Sequence, residues 1–203
     1  MILSGKEIQR RVEDGRLVID PFDPLQLNPN SYNLRLHDEL QEVTDLVLSM
    51  NKPTNVVPLK IPADGLMLLP NRLYLGRTVE RTETPDLVPC LEGRSSIGRL
   101  GIQVHITAGF GDVGFAGSWT LEITCVLPVR IFPFVPICQI GYSTILGEYD
   151  SYAQTGKYNN DGAVMPSQLY TEFEGNTYGK RRYDKKDGGS RADKHAPSPH
   201  SQG

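Results

Sequence analysis

Trp119-Thr120-Leu121-Glu122-Ile123-Thr124-Cys125 alternates strictly along its length, and that alternation decides the fold. On an extended chain successive side chains point to opposite faces. Trp119, Leu121, Ile123 and Cys125 therefore share one apolar face, while Thr120, Glu122 and Thr124 share the other. The pattern predicts a half-buried β-strand carrying one carboxylate, rigidly held, opposite the apolar face. Asn33-Leu34-Arg35-Leu36 alternates in the same way. Between such runs stand Pro21, Pro24, Asn28-Pro29-Asn30, Pro53, Pro58, Pro62, Gly65, Pro70-Asn71, Pro85 and Pro89. Many short strands divided by turn residues predict a mainly β architecture, a barrel or jelly roll. The N-terminus reads as a short helix. Ser4 and Glu7 form a capping box, Leu3 and Ile8 a hydrophobic staple, and Gly15 a stop.

The chain has 203 residues, enough for one domain with a real core, or for a domain and a tail. Its formal net charge of −3 gives no overall attraction to nucleic acid or anionic membrane. No apolar run reaches the roughly 18–20 residues of a membrane span, and Met1-Ile2-Leu3-Ser4-Gly5-Lys6-Glu7 does not read as a signal peptide. Cys90, Cys125 and Cys138 are scattered and odd in number, which fits buried thiols in a reducing compartment better than a disulfide framework. The expectation is a soluble, cytoplasmic protein. From Thr171 the composition turns charged, with Gly and Pro, and residues 171–203 read as a disordered tail behind a domain at 1–170. The basic cluster Lys180-Arg181-Arg182 reads as part of a solvated tail rather than a nucleic-acid contact.

Chemistry concentrates in Gly93-Arg94-Ser95-Ser96-Ile97-Gly98-Arg99-Leu100-Gly101. The stretch lacks strand alternation and fits a short helix, with Ser95 and Arg99 one turn apart. Serine hydroxyls, an arginine fork and free N–H groups at a helix start complement phosphate oxygens. A capped surface turn would look the same from these residues alone. Downstream follow His105-Ile106-Thr107-Ala108-Gly109-Phe110, then Asp112 and Glu122.

In this order the motifs resemble the dCTP deaminases of the trimeric dUTPase superfamily. Asn28-Pro29-Asn30-Ser31-Tyr32-Asn33-Leu34-Arg35-Leu36 is similar to that family's early strand, and Gly156-Lys157-Tyr158 with Pro166-Ser167 to its nucleotide-closing segment. The resemblance covers about residues 1–170 and implies a distorted jelly-roll or β-barrel of the dUTPase type, assembled as a homotrimer with intersubunit active sites. It implies hydrolytic deamination of dCTP, with Glu122 as general acid/base, Ser95 and the Ala108 carbonyl holding the attacking water, and Arg99 organising the site. Arg94 and Ser96 would meet the triphosphate, helped by Lys157 and Tyr158, and Asp161 stands at the nucleotide-contacting position of the closing segment. Gly109 and Phe110 would line the nucleotide, and Asp112 would sit at the deoxyribose. Magnesium is expected on the triphosphate, and dTTP as an inhibitor.

Deamination at cytosine C4 needs a base to take a proton from water and then return protons to the ring nitrogen and the leaving ammonia. One carboxylate can shuttle them, a contribution of about 10²–10⁴ in rate. Zinc-dependent deaminases use an H-x-E together with a P-C-x-x-C signature, and in this sequence no cysteine pair exists to complete such a ligand set, so zinc is not expected. Two outcomes are compatible with the motifs: dUTP alone, or dUMP and pyrophosphate through a second hydrolysis. Gly109-Phe110 stands where the enterobacterial single-activity enzymes carry His-Arg, which favours the second. Asn33 in place of the usual aspartate, Tyr142 in place of glutamine and Asp161 in place of glutamine depart from the pattern. A dUTPase without deaminase activity and a silent nucleotide-binding regulator are the competing readings. The first leaves Arg99 and Glu122 unexplained, and the second has no need of Glu122.

Overall fold

The computed structural model describes residues 1–158 and 162–173. Asp161 and residues 174–203, which hold most of the expected tail, lie outside the described residues. Helix α1 spans Gly5–Glu13. Ser4 Oγ accepts the Glu7 N–H at 3.3 Å, and Leu3 and Ile8 are buried. Only half of the capping box forms, because the Glu7 carboxylate turns to Arg10 at 2.7 Å and Arg11 at 3.0 Å. Gly15 follows the helix with φ +69°, the left-handed conformation that glycine adopts most cheaply.

The strands follow in chain order. They are β1 (Val18–Asp20), β2 (Tyr32–Val43), β3 (Val56–Lys60), β4 (Leu66–Leu68), β5 (Tyr74–Glu83), β6 (Leu87–Gly93), β7 (Ile102–Gln103), β8 (Ala116–Cys125), β9 (Val129–Ile131) and β10 (Pro136–Thr144). A short helix α2 (Ser95–Gly98) separates β6 from β7, and α3 (Tyr152–Thr155) follows β10. The main sheet runs β6-β10-β2-β5-β8-β7, with β1 added to β5 and β3 to β2, while β4 and β9 form a separate pair. The loop after β7 returns to β6: Leu91 N–H donates to the Gly109 carbonyl at 2.6 Å and Gly111 N–H to the Pro89 carbonyl at 2.9 Å. These bonds bring the sheet close to closure, the barrel-like architecture expected from the turn-divided strands.

Tyr32, Leu34, Leu36, Leu121, Ile123 and Ile140 are fully buried at the centre. The two strands read from the sequence each depart from simple alternation. Asn33, expected on the wet face, is buried and accepts from Asn28 Nδ2 at 3.0 Å, because β10 and the 28–31 turn cover that side. In β8, Leu121, Ile123 and Cys125 are buried as expected, but Trp119 is only half-buried. The β5–β8 register shifts between Arg77 and Arg81, and this irregularity re-aims the side chains beside it. Arg35 makes a 2.6 Å ion pair with Glu80, whose side chain is wholly buried. Cys125 and Cys138 are buried, Cys90 is half-buried, and all three thiols are free. No helix among the described residues is long and apolar enough to cross a membrane. A 3₁₀ turn at Leu169–Glu172 spans the expected 170/171 boundary, and the Lys157 ammonium pairs with Glu172 there.

Candidate active site

Antiparallel register places Gln41 opposite Leu75 and Leu75 opposite Glu122, one row across β2, β5 and β8. Arg77 and Thr120 form the next row on the same face. Directly opposed residues share a face, so the sheet presents Glu122 and Thr120 together, away from Leu121 and Ile123. Over this face lies a cavity of about 600 Å³. Glu122, Ala108, Phe110, Asp112 and Tyr158 all line it, so five of the sequence-nominated residues meet in one place.

Glu122 is half-buried and its Oε2 accepts the Ile106 N–H at 2.8 Å. The Glu122 N–H donates to the Val104 carbonyl at 3.0 Å, so the 104–106 segment holds Glu122 by both its backbone and its side chain. With Oε2 held, the carboxylate has one defined orientation at the cavity wall, the geometry required of a general base. The Ala108 carbonyl belongs to an exposed stretch beside it, whereas Gly109 is buried. A Cβ at Gly109 would stand 2.5 Å from the Leu91 carbonyl oxygen and 3.0 Å from the His105 ring, so only glycine fits this approach. His105 packs under the loop, and its Nδ1 is buried without a partner among the described residues.

Aromatic side chains, Phe115, Trp119, Tyr152 and Tyr158, also line the cavity. Trp119 stacks obliquely on Phe115 at 4.2 Å, and its Nε1–H donates to Thr82 Oγ1 at 2.9 Å. Tyr152 OH accepts the Tyr158 N–H at 3.0 Å, and Tyr158 OH accepts the Gln168 N–H at 3.1 Å. The segment after Gly162 thus folds back over the cavity, where Met165 and Ser167 also line it.

Among the described residues, the other nominated ones (Arg94, Ser95, Ser96, Arg99, Gly109 and Lys157) do not line this cavity within one chain. Ser95, Ser96 and Arg99 are exposed on α2 and its C-terminal end. The expected short helix is present, although Arg94 at its N-cap makes no capping bond and instead donates to the Pro136 carbonyl at 2.8 Å. The reason is topological. α2 caps the end of β6 and is pinned to β10, whereas the Glu122 face belongs to β2, β5 and β8. Lys157 is exposed and occupied by Glu172, which pushes its ammonium pKa above the ordinary value. Tyr142, a position of departure from the pattern, is wholly buried, and burial pushes its hydroxyl pKa up. Sequence reasoning did not nominate Leu75, Tyr152 or Met165. Thr120 stands two residues before Glu122 on the same face, a signal that strand period alone provides. Among the described residues no group of three His, Cys, Asp or Glu side chains is placed to hold a metal ion.

The chain matches the family model described as dCTP deaminase-like over residues 2–145, and it belongs to that family. It is 58% identical over 174 residues to the "dCTP deaminase, dUMP-forming" of Hathewaya histolytica, covering 86% of this chain and 100% of that protein. It is 57% identical to the protein of the same name from Cytophaga hutchinsonii, again over 86% of this chain and 99% of that one. Among solved structures, the 2'-deoxycytidine 5'-triphosphate deaminase of Agrobacterium tumefaciens is similar in fold, with TM-score 0.58 at 21% identity. That likeness covers 70% of this chain and 48% of the Agrobacterium chain.

Proposed function

We propose that this protein deaminates dCTP and carries the product on to dUMP and pyrophosphate. The observation that carries the reading is the meeting of Glu122, Ala108 and Asp112 at one cavity, in a chain more than half identical to enzymes named as dUMP-forming dCTP deaminases. In the first step Glu122 takes a proton from water as the oxygen bonds to C4. Glu122 delivers that proton to the ring nitrogen. It then moves the proton of the added hydroxyl to the exocyclic amine, whose bond to C4 breaks as the C4 carbonyl forms, so that ammonia leaves and dUTP remains. In the second step Asp112 takes a proton from a water whose oxygen bonds to the α-phosphorus, the bond from that phosphorus to the α–β bridging oxygen breaks, and pyrophosphate leaves, giving dUMP.

The triphosphate grip in this reading is Arg94, Ser95, Ser96 and Arg99 of a neighbouring copy, in a homotrimer with shared sites. Two features support it. α2 and the Glu122 cavity are both complete yet do not meet within one chain. Leu100, Val126 and Leu127 near the end of α2 are 59–69% exposed, an apolar surface that a second copy would cover. Arg94 would then serve by fixing α2 to β10 as much as by its charge. Magnesium, when bound, would neutralise triphosphate oxygens, which hold it rather than a cage of side chains. Lys157 would exchange Glu172 for phosphate.

The test is incubation of the protein with dCTP and magnesium, followed by chromatography of nucleotides and measurement of ammonia. Ammonia with dUMP and pyrophosphate is expected. Ammonia with dUTP alone would remove the second step, and no ammonia would remove the first.

A further inference from the structure

The stretch from Gly162 to Ser167 crosses the sheet face that bears Glu122, and three strands touch it. Gly162, with φ +101°, lies 3.8 Å beneath Arg77 Nη1 and Ser118 Oγ, measured from where a Cβ would stand. Gln41 Nε2 donates to the Val164 carbonyl at 3.4 Å, a long bond. Thr120 Oγ1 accepts the Met165 N–H at 3.2 Å. Of the two hydrogen bonds the second is the shorter, and it joins the stretch directly to the strand of Glu122. Thr120 precedes Glu122 by two residues on the same face, so the bond positions Met165 beside the carboxylate at the cavity wall.

We infer that Thr120 is a positioning residue: its hydroxyl latches Met165 and so holds the 162–167 strap, with Tyr158 ahead of it, over the nucleotide cavity. The inference rests on the reading of that cavity as the dCTP site. β-branched residues suit a strand equally well with or without a hydroxyl, so a threonine has a chemical role here that valine would lack. A net hydrogen bond of this kind corresponds to a change in occupancy of about 2- to 10-fold. Loosening a strap that closes on substrate weakens binding before it alters the bond-breaking step, so the loss belongs in KM for dCTP.

Thr120→Val keeps the shape and removes the acceptor, and Thr120→Ser keeps the acceptor. Steady-state kinetics with dCTP should show KM raised about 2- to 10-fold in Thr120→Val, with kcat changed less, and both constants restored in Thr120→Ser. Hydrogen exchange on the full chain without nucleotide should show faster exchange of the Met165 amide in the valine variant only. An unchanged KM in Thr120→Val, or a serine variant as impaired as the valine one, overturns the latch. So does unaltered exchange at Met165. The exchange measurement does not depend on activity, so a wild-type protein that releases no ammonia would sink the functional reading while leaving the latch separately decided.

Discussion

Glu122 Oε2 and the backbone N–H of Ile106 are 2.8 Å apart, a bond that joins the proposed catalytic carboxylate to the loop carrying Ala108. Glutamine at position 122 can accept the same N–H but cannot carry a proton between water, ring nitrogen and ammonia. Glu122→Gln should lower kcat for ammonia release by about 10²–10⁴ while dCTP binding, measured by calorimetry, changes little. Full activity in this variant would remove Glu122 from the mechanism.

Asp112 is exposed and lines the same cavity as Glu122. If it serves the phosphorus step and not the C4 step, Asp112→Asn should still release ammonia from dCTP. The nucleotide product should shift from dUMP to dUTP, with pyrophosphate release reduced about 10²-fold or more. Chromatography of the products distinguishes this from a general loss, in which both ammonia and pyrophosphate would fall together.

The Arg35–Glu80 pair bears on stability rather than catalysis. Glu80 is wholly buried and accepts from both the Arg35 side chain at 2.6 Å and its backbone N–H at 2.8 Å. Arg35→Ala would leave a buried carboxylate without its counter-charge, a loss of about 3–5 kcal/mol. Urea denaturation should show it, and Arg35→Ala combined with Glu80→Leu should recover part of the loss.

His37 supplies a pH dependence. Burial and the neighbouring Arg77 guanidinium lower its pKa, opposed by Glu39 and Asp38, with Lys60 also facing it. Arg77 lies 2.7 Å from Nε2, while Nδ1 has the Asp38 carboxylate at 3.0 Å and the Glu39 backbone N–H at 3.2 Å. A histidine with a lowered folded-state pKa stabilises fully above its unfolded value of about 6.5, and that stability is lost as pH falls below it. Thermal midpoints should fall between about pH 7.5 and about pH 5.5, and fall less in His37→Gln. Equal slopes in the two proteins would exclude His37 as the source.

Parts of the fold were legible because they depend on near neighbours in the chain. Ser4 ahead of Glu7, Gly15 after the helix and the period of two in Trp119–Cys125 each act within a few residues. Ser95 and Arg99 fell on a short helix for the same reason. Asn33 was misread because what covers it is the 28–31 turn and β10, more than a hundred residues away along the chain. Trp119 is only half-buried beside a shift in register against β5, which no property of β8 alone encodes.

The amino-acid order by itself determined a β-rich chain with one capped helix, a serine–arginine helix and a carboxylate opposite an apolar strand face. It also carried the motifs of the dCTP deaminase-like family. Tertiary structure alone decided that Gln41, Leu75 and Glu122 form one row, and that Thr120 meets Met165. It also decided that α2 stands apart from the Glu122 cavity within a single chain. The difference is physical. Caps and strand period are satisfied by local backbone geometry, whereas register and strand order are chosen by burying one continuous apolar core, a condition that involves the whole chain at once.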